Sequence, residues 1–415
     1  MADSISLDRV PSGSVPAVVA GDLTLVRPHG MAGIAAVLAT DDPRDIALRS
    51  RYVKGSVIVP GFGEAHAEET LDLLLDAGAA LHRRFGVKVP FVYGTDEQLE
   101  MLYRVRDRLS EHFAFTINAP KLAWAMADKE RFTEVAEAAG IRVPRTRKPT
   151  SAPDRGLSDL HGPVLVKPRR KTSWAEIQQE LLDGIGKARV FESREELVNH
   201  PAFDKHRDAL IVQEYVEGGP ESLVSFHGFA DEDGRILASF SGRKLRTWPR
   251  IAGESSFIEL TLDPSVRAVG TDVVRRLGLK GPFKVDLIRH ARTGDLYVLE
   301  INARFTLWHY LGAVHGVNLP AIAYRYQVSG RPTPDLATYR PNVKWVDFYR
   351  DYKAYREQHA DGSLSLGGWL ASLARSPVVY ETFSWTDPLP LSEWVRGFLS
   401  QRGQRAVRDP VGHSR

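Results

Sequence analysis

The sequence predicts an α/β protein in three parts: an N-terminal domain with a parallel sheet over residues 1–118, a strand-rich middle over 119–330, and a helical C-terminal extension over 331–415. Three observations carry this. A chain of 415 residues exceeds what one hydrophobic core usually holds. The first 118 residues alternate short apolar runs with amphipathic stretches, as a parallel sheet flanked by helices does. Beyond residue 160, apolar runs follow one another across short polar turns, as hairpins do.

In the first part, Pro16-Ala-Val-Val-Ala20, Ile34-Ala-Ala-Val-Leu38, Ser56-Val-Ile-Val-Pro60 and Pro90-Phe-Val-Tyr93 read as strands. Between the last two, Glu68 to Phe85 repeats apolar residues at helical spacing. No G-x-G-x-x-G follows the first strand, which argues against a dinucleotide site. In the middle part, a helix begins at Asp128-Lys-Glu-Arg-Phe132 and ends near Gly140, a residue suited to a C-cap. Val164-Leu-Val-Lys167-Pro168 is a buried strand ending in a lysine, and residues 169–190 are polar apart from a short helix at Ala175–Leu182. Ala209 to Val216 forms another strand, closed by Glu217-Gly-Gly-Pro220. Strands at Ser222–Phe229 and Arg235–Gly242 join through the turn Asp231-Glu-Asp-Gly234 as a hairpin. In the last part, helices are expected near Tyr349–Gln358 and Leu366–Leu373.

Hydrophobic content of 43% and charged content of 26% are those of a soluble globular protein. A net charge of +3 gives no reason to invoke nucleic acid or a membrane surface. The basic cluster Arg142 to Lys148 fits a solvated loop as well as a ligand contact. With no cysteine, disulfides, thiolate catalysis and Cys-ligated zinc are excluded, and the expected location is the cytoplasm. Neither a leader-like N-terminus nor a transmembrane-length apolar run is present.

The most informative segment is a second hairpin, Phe283-Lys-Val-Asp286-Leu-Ile and Val298-Leu-Glu300-Ile-Asn302-Ala-Arg304-Phe305, joined across Arg292-Thr-Gly-Asp295. Residues alternate faces along a strand, so Glu300, Asn302 and Arg304 share a face, and the turn brings Asp286 back toward Glu300. Three hard oxygen donors suit Mg²⁺, and a guanidinium beside them suits phosphate. The bland alternative is a solvated hairpin with ordinary charges. Against it stand the apolar strands and an asparagine in a strand without another evident task. Lys167, at its strand end, either snorkels to solvent or presents its charge to an anion.

Taken together, Lys129, Val-Lys167-Pro, Gln-Glu214-Tyr215-Val216-Glu-Gly with Glu221, Asp286, and Glu300-Ile-Asn302-Ala-Arg304 stand in an order that resembles the ATP-grasp superfamily over roughly residues 120–330. The stretch Phe240-Ser-Gly-Arg243-Lys244-Leu-Arg246 and the Glu-x-Asn-x-Arg run look most like its carboxylate–amine ligase branch, with D-aspartate ligase-like and carbamoyl-phosphate-synthase-like members. The resemblance implies a pre-ATP-grasp domain followed by two α+β ATP-grasp lobes. It implies ATP as cofactor with one or two Mg²⁺, for which Mn²⁺ substitutes. Lys129 and Lys167 would face the phosphates or the adenine edge, Glu214, Tyr215 and Val216 the adenine, and Glu221 the ribose. Asp286, Glu300 and Asn302 would hold metal, and Arg304 would stabilise the transferring phosphoryl group. Arg243 and Lys244 either add phosphate contacts or end a strand at the surface.

The implied activity joins a small carboxylic acid, such as an amino acid, to an amine through an acyl phosphate, with a homodimer by analogy. Such chemistry needs positioning and charge neutralisation rather than a protein nucleophile. Rival readings are an ATP-grasp kinase, a bicarbonate-activating enzyme, and a non-catalytic nucleotide-binding regulatory module. One departure stands out: Arg169-Arg-Lys-Thr-Ser-Trp-Ala replaces the glycine-dense phosphate loop, with Gly184 and Gly186 only later. Either side chains supply the loop's cations, or ATP binds weakly until substrate arrives. Trp308, His309 and Tyr310 follow the metal strand and either pack beneath it or offer His309 as a base for the amine.

Overall fold

A computed structural model describes residues 4–169, 174–182, 188–251, 253–331 and 338–401. The loop residues 170–173 and the stretch 183–187, with Gly184 and Gly186, lie outside the described residues. The chain gathers into two compact units, one of residues 1–114 with 380–415 and one of 115–379.

The first unit holds a six-stranded sheet of β1 (Ile5–Ser6), β2 (Ala17–Ala20), β3 (Ala36–Thr40), β4 (Val53–Ile58), β5 (Val89–Tyr93) and β6 (Phe113–Ala114), in the order β1-β4-β3-β2-β5-β6. All neighbours are parallel except β1, which runs against β4. β2, β3 and β5 are buried throughout, so they read as unbroken apolar runs rather than alternating ones. The predicted helix spans Ala67–Phe85 and stops at Gly86, whose φ of 72° suits a residue without a Cβ. Helices Leu23–Met31 and Asp96–Arg104, capped by Asp22 and by a Thr95/Gln98 capping box, were not predicted.

The second unit holds two sheets. The smaller contains β7 (Thr146–Arg147), β8 (Val164–Pro168), β9 (Arg189–Phe191) and β10 (Leu210–Glu214), in the antiparallel order β7-β10-β8-β9. The larger contains β11 (Leu223–Ala230), β12 (Ile236–Trp248), β13 (Glu254–Thr261), β14 (Gly281–Arg289), β15 (Leu296–Asn302), β16 (Lys344–Val346) and β17 (Val378–Tyr380). Its order is β15-β14-β11-β12-β13-β16-β17. Both predicted hairpins are present, as β11–β12 and β14–β15. The helix Lys129–Ala138 ends as expected at Gly140, in a Schellman arrangement: Ile141 N–H donates to the Ala136 carbonyl at 2.8 Å and Gly140 N–H to that of Glu137 at 2.9 Å.

One face of the large sheet is apolar. Val224, Phe226, Phe283, Val285, Leu287, Val298 and Ile301 pack there with Val266, Val273 and Val274 of the helix Pro264–Leu277. Neither that helix nor β13 was predicted. The tail expected as one helical extension is divided: β16 and β17 lengthen the large sheet, while the helix Leu389–Gln401 belongs to the first unit. Strands of three residues fall below what periodicity can detect, and pairing with β13 decides β16. Among the described residues, no helix is long and apolar enough to cross a membrane.

Candidate functional site

The other face of the same sheet is polar, because every second residue turns to it. In register, Ser225 lies opposite Asp286 and Gly242, His227 opposite Lys284 and Phe240, Glu300 opposite Asp286, and Asn302 opposite Lys284. Asp286 is buried, Asn302 half-buried and Glu300 exposed. Asn302 Nδ2 donates to Asp286 Oδ2 at 3.2 Å and to Glu300 Oε1 at 3.4 Å. β15 ends at Asn302, so Arg304 lies beyond the strand rather than on it, yet its guanidinium still donates to Asn302 Oδ1 at 3.2 Å.

Cations surround these carboxylates. Lys284 Nζ sits 2.7 Å from Asp286 Oδ2, and Lys244 Nζ 3.8 Å from Asp286 Oδ1. Burial pushes the Asp286 carboxyl up, but Lys284, then Lys244, outweigh it and hold the group below the usual carboxylate range. Lys167 is half-buried, and its Nζ donates to Gln213 Oε1 at 3.2 Å, while Gln213 Nε2 donates to Thr146 Oγ1 at 2.8 Å. Desolvation lowers the Lys167 pKa to about 8, with Glu300 opposing the shift and the charges of Lys129 and Lys244 adding to it. Lys129 is the exposed first residue of its helix.

Beneath this face lies an aromatic floor. Trp308, His309 and Tyr310 are buried, so the packing alternative describes them. His309 accepts from the Thr306 N–H through Nδ1 at 3.2 Å, and burial, then Lys284 and Arg304, lower its pKa to about 3. A neutral ring enclosed in this way is not placed to meet an incoming amine as a base. His227 stacks on Phe240 at 4.7 Å between ring centroids, bonds Ser225 Oγ at 2.8 Å, and is held well below the usual histidine range, chiefly by burial. Gly242 admits the Trp308 ring: a Cβ there would lie 2.5 Å from Trp308 Cζ3 and 2.8 Å from the Glu259 carbonyl.

The remaining candidates are placed elsewhere. Arg243 is next to Lys244 and therefore on the opposite face, where it pairs across strands with Glu259 at 2.7 Å; the expectation that it works beside Lys244 is corrected by this alternation. Glu214 ends β10, and its carboxylate accepts from the Arg145 N–H at 3.3 Å. Tyr215 N–H donates to the Pro163 carbonyl at 3.2 Å. Among the described residues, the Val216 N–H has no hydrogen-bond partner. Glu221 is exposed, its carboxylate folded against Gly219. The Arg142–Lys148 cluster is drawn into ion pairs, Arg142 with Asp295, Arg145 with Glu214 and Arg147 with Asp159. Lys284 and Gln213 were not singled out from sequence, although each stands two residues from, or next to, an assigned position. The period of two that linked Glu300 to Asn302 also links Lys284 to Asp286.

Two sheets, one carrying Lys167 and Glu214 and the other the carboxylate–amide set, are the layout the resemblance implies, and residues 126–307 match the ATP-grasp domain family. Over 188 residues the chain is 25% identical to a D-alanine–D-alanine ligase of Xanthomonas axonopodis pv. citri (strain 306), a match covering 42% of this chain and 54% of that protein. The match thus spans about half the length of that relative. The fold is similar to that of biotin carboxylase from Campylobacter jejuni, at TM-score 0.55 and 14% identity over 79% of this chain and 74% of the other. It is also similar to N5-carboxyaminoimidazole ribonucleotide synthetase from Thermus thermophilus, at TM-score 0.54 and 15% identity over 79% of this chain and 81% of the other. These likenesses of fold extend beyond residues 126–307 to most of the chain.

Proposed function

We propose that the chain is an ATP- and Mg²⁺-dependent ligase that joins a small carboxylic acid to an amine through an acyl phosphate and releases ADP. The observation that carries this is the set Asp286, Glu300 and Asn302 on adjacent strands, with Lys244, Lys284 and Arg304 around it. Among the described residues no three His, Cys, Asp or Glu side chains are grouped to hold a metal; the donors here are two carboxylates and an amide. The two carboxylates offer hard oxygens, and Asn302 would add its Oδ1 by turning its amide, whose Nδ2 now faces them; such a set would fit Mg²⁺ and leave its other positions to phosphate and water. When bound with nucleotide, Mg²⁺ neutralises charge on the phosphates.

The chain's own residues account for the rest of the reading. Lys167 and Lys129 draw the triphosphate by charge. The Val216 N–H, without a partner among the described residues, is suited to an acceptor on the adenine edge, and Glu221 to ribose hydroxyls. A carboxylate oxygen leaves poorly, so it is first phosphorylated; Lys244 and Arg304 then offset the negative charge that grows as the γ-phosphoryl group transfers. The amine displaces phosphate from the acyl phosphate, forming the C–N bond as the C–O bond breaks. Neutral His227 and His309 add no competing charge.

The relative named for joining D-alanine to D-alanine supports ligation of amino acids. A second reading, activation of bicarbonate, is favoured by the fold's likeness to a biotin carboxylase. Release of ADP from Mg-ATP across a matrix of acids and amines separates them. Ligation requires both partners and gives a coupled mass; bicarbonate activation gives ADP with bicarbonate alone. Size-exclusion chromatography tests the homodimer that the same reading includes.

A further inference from the structure

Lys284 is an ammonium with only 10% of its side chain exposed, lying 2.7 Å from a carboxylate that is 6% exposed. A charge this far from water needs a counter-ion, and Asp286 supplies it. The rest of its surroundings cannot replace that anion. Trp308 lies 5.7 Å away with its ring turned to Nζ, His227 stands opposite in the register, and His309 is near enough to feel its charge. Both histidines are neutral. Lys244 adds a second cation, and the charge of Glu300 reaches Lys284 more weakly than that of Asp286.

We infer that Lys284 is the resident counter-ion of the metal site, so that a divalent cation enters only together with a polyphosphate, which takes over the pairing of Lys284. This rests on the metal–nucleotide reading above. A dication placed on Asp286 alone would strip Lys284 of its partner and set two positive centres side by side in a poorly hydrated place. Phosphate oxygens remove the conflict by giving Lys284 and Lys244 new anions at the moment the metal takes Asp286. Metal and nucleotide therefore bind with strong positive coupling, and by linkage each tightens the other by the same factor. No residue of the floor needs to move for this, because the exchange is one of partners around Lys284.

The probe is Mn²⁺ followed by electron paramagnetic resonance, with and without ADP, on the full chain. The wild-type protein is expected to leave Mn²⁺ free alone and to bind it when ADP is present. Lys284→Met is expected to bind Mn²⁺ without nucleotide at least about tenfold more tightly than wild type, the order that one unit charge beside a dication produces even at solvent-like screening. Lys284→Arg keeps the charge and is expected to keep the coupling. Equal Mn²⁺ affinity with and without ADP in the wild type would overturn the inference. So would nucleotide-dependent binding that Lys284→Met leaves unchanged, or a gain in Lys284→Arg equal to that in Lys284→Met. A wild type that binds no Mn²⁺ even with ADP removes the metal reading itself, which is a separate failure.

Discussion

Lys167 turns its environment into a measurable pH dependence. Burial brings its pKa from the ordinary 10.5 to about 8, so above pH 8 the folded protein releases a proton that the unfolded chain keeps. The cost of burying the ammonium is therefore present below pH 8 and is relieved between about 8 and 10.5, where this residue's contribution to stability rises with pH. Nucleotide binding has the opposite sign, because phosphates favour the charged form. Affinity for a non-hydrolysable ATP analogue should fall as pH rises through 8, with proton uptake on binding. Calorimetry in two buffers of different ionisation enthalpy measures that uptake, and Lys167→Met should abolish it while weakening binding by roughly 1.5–3 kcal/mol. At the same scale, Glu300→Gln removes a charge proposed to face the metal, at nearly constant volume. It should cost turnover at least about 100-fold with the circular dichroism spectrum unchanged; full Mg-dependent activity in that variant would remove Glu300 from the metal set.

At the scale of elements, strands with strong local signals were legible, and elements fixed by distant partners were not. The β14–β15 hairpin could be read because its turn and its alternation lie within one short stretch, and the same alternation placed Glu300 and Asn302 together. Alternation also sends Arg243 away from Lys244, a consequence available from sequence once β12 is known to continue through Trp248. β13 was missed because Glu254-Ser-Ser-Phe-Ile-Glu-Leu-Thr261 mixes polar and apolar positions, and its place is set by β12 and β16 on either side. The network that holds β12 to the helix Phe348–Ala360 has no sequence signature at all. Arg246 donates to both Asp351 oxygens at 2.8 and 2.7 Å, while Trp369 Nε1 and Ser256 Oγ donate to the same carboxylate at 2.8 and 3.0 Å. With Asp351 wholly buried, Asp351→Ala leaves Arg246 as an unpaired buried cation and should cost about 3–5 kcal/mol. Denaturant unfolding followed by tryptophan fluorescence measures it, since Trp345 and Trp369 lie in the same unit.

For the whole molecule, the first unit is discontinuous in sequence: it closes only when residues 380–401 return to strands formed by the first 114. The closure has a polar centre. Arg27, 1% exposed, donates through Nε to Asp387 Oδ2 at 3.1 Å and through its terminal nitrogens to the backbone carbonyls of Glu381 and Thr382. Ser50 Oγ and the Arg51 N–H donate to the same Asp387 carboxylate at 2.8 and 2.9 Å. Partners 360 positions apart leave no local trace, which is why the tail read as a separate extension. Two charges enclosed this fully stabilise only as a pair, since removing either strands the other away from water. Asp387→Ala should therefore destabilise the first unit by about 3–5 kcal/mol, and a chain ended at residue 379 should lose that unit while the second stays folded. Hydrogen exchange separates these outcomes by region. Protection of β2, β3 and β5 should collapse in the shortened chain while that of β11 and β14 persists; protection of β2 and β3 equal to that of the full chain would show that the first 114 residues fold without the returning segment.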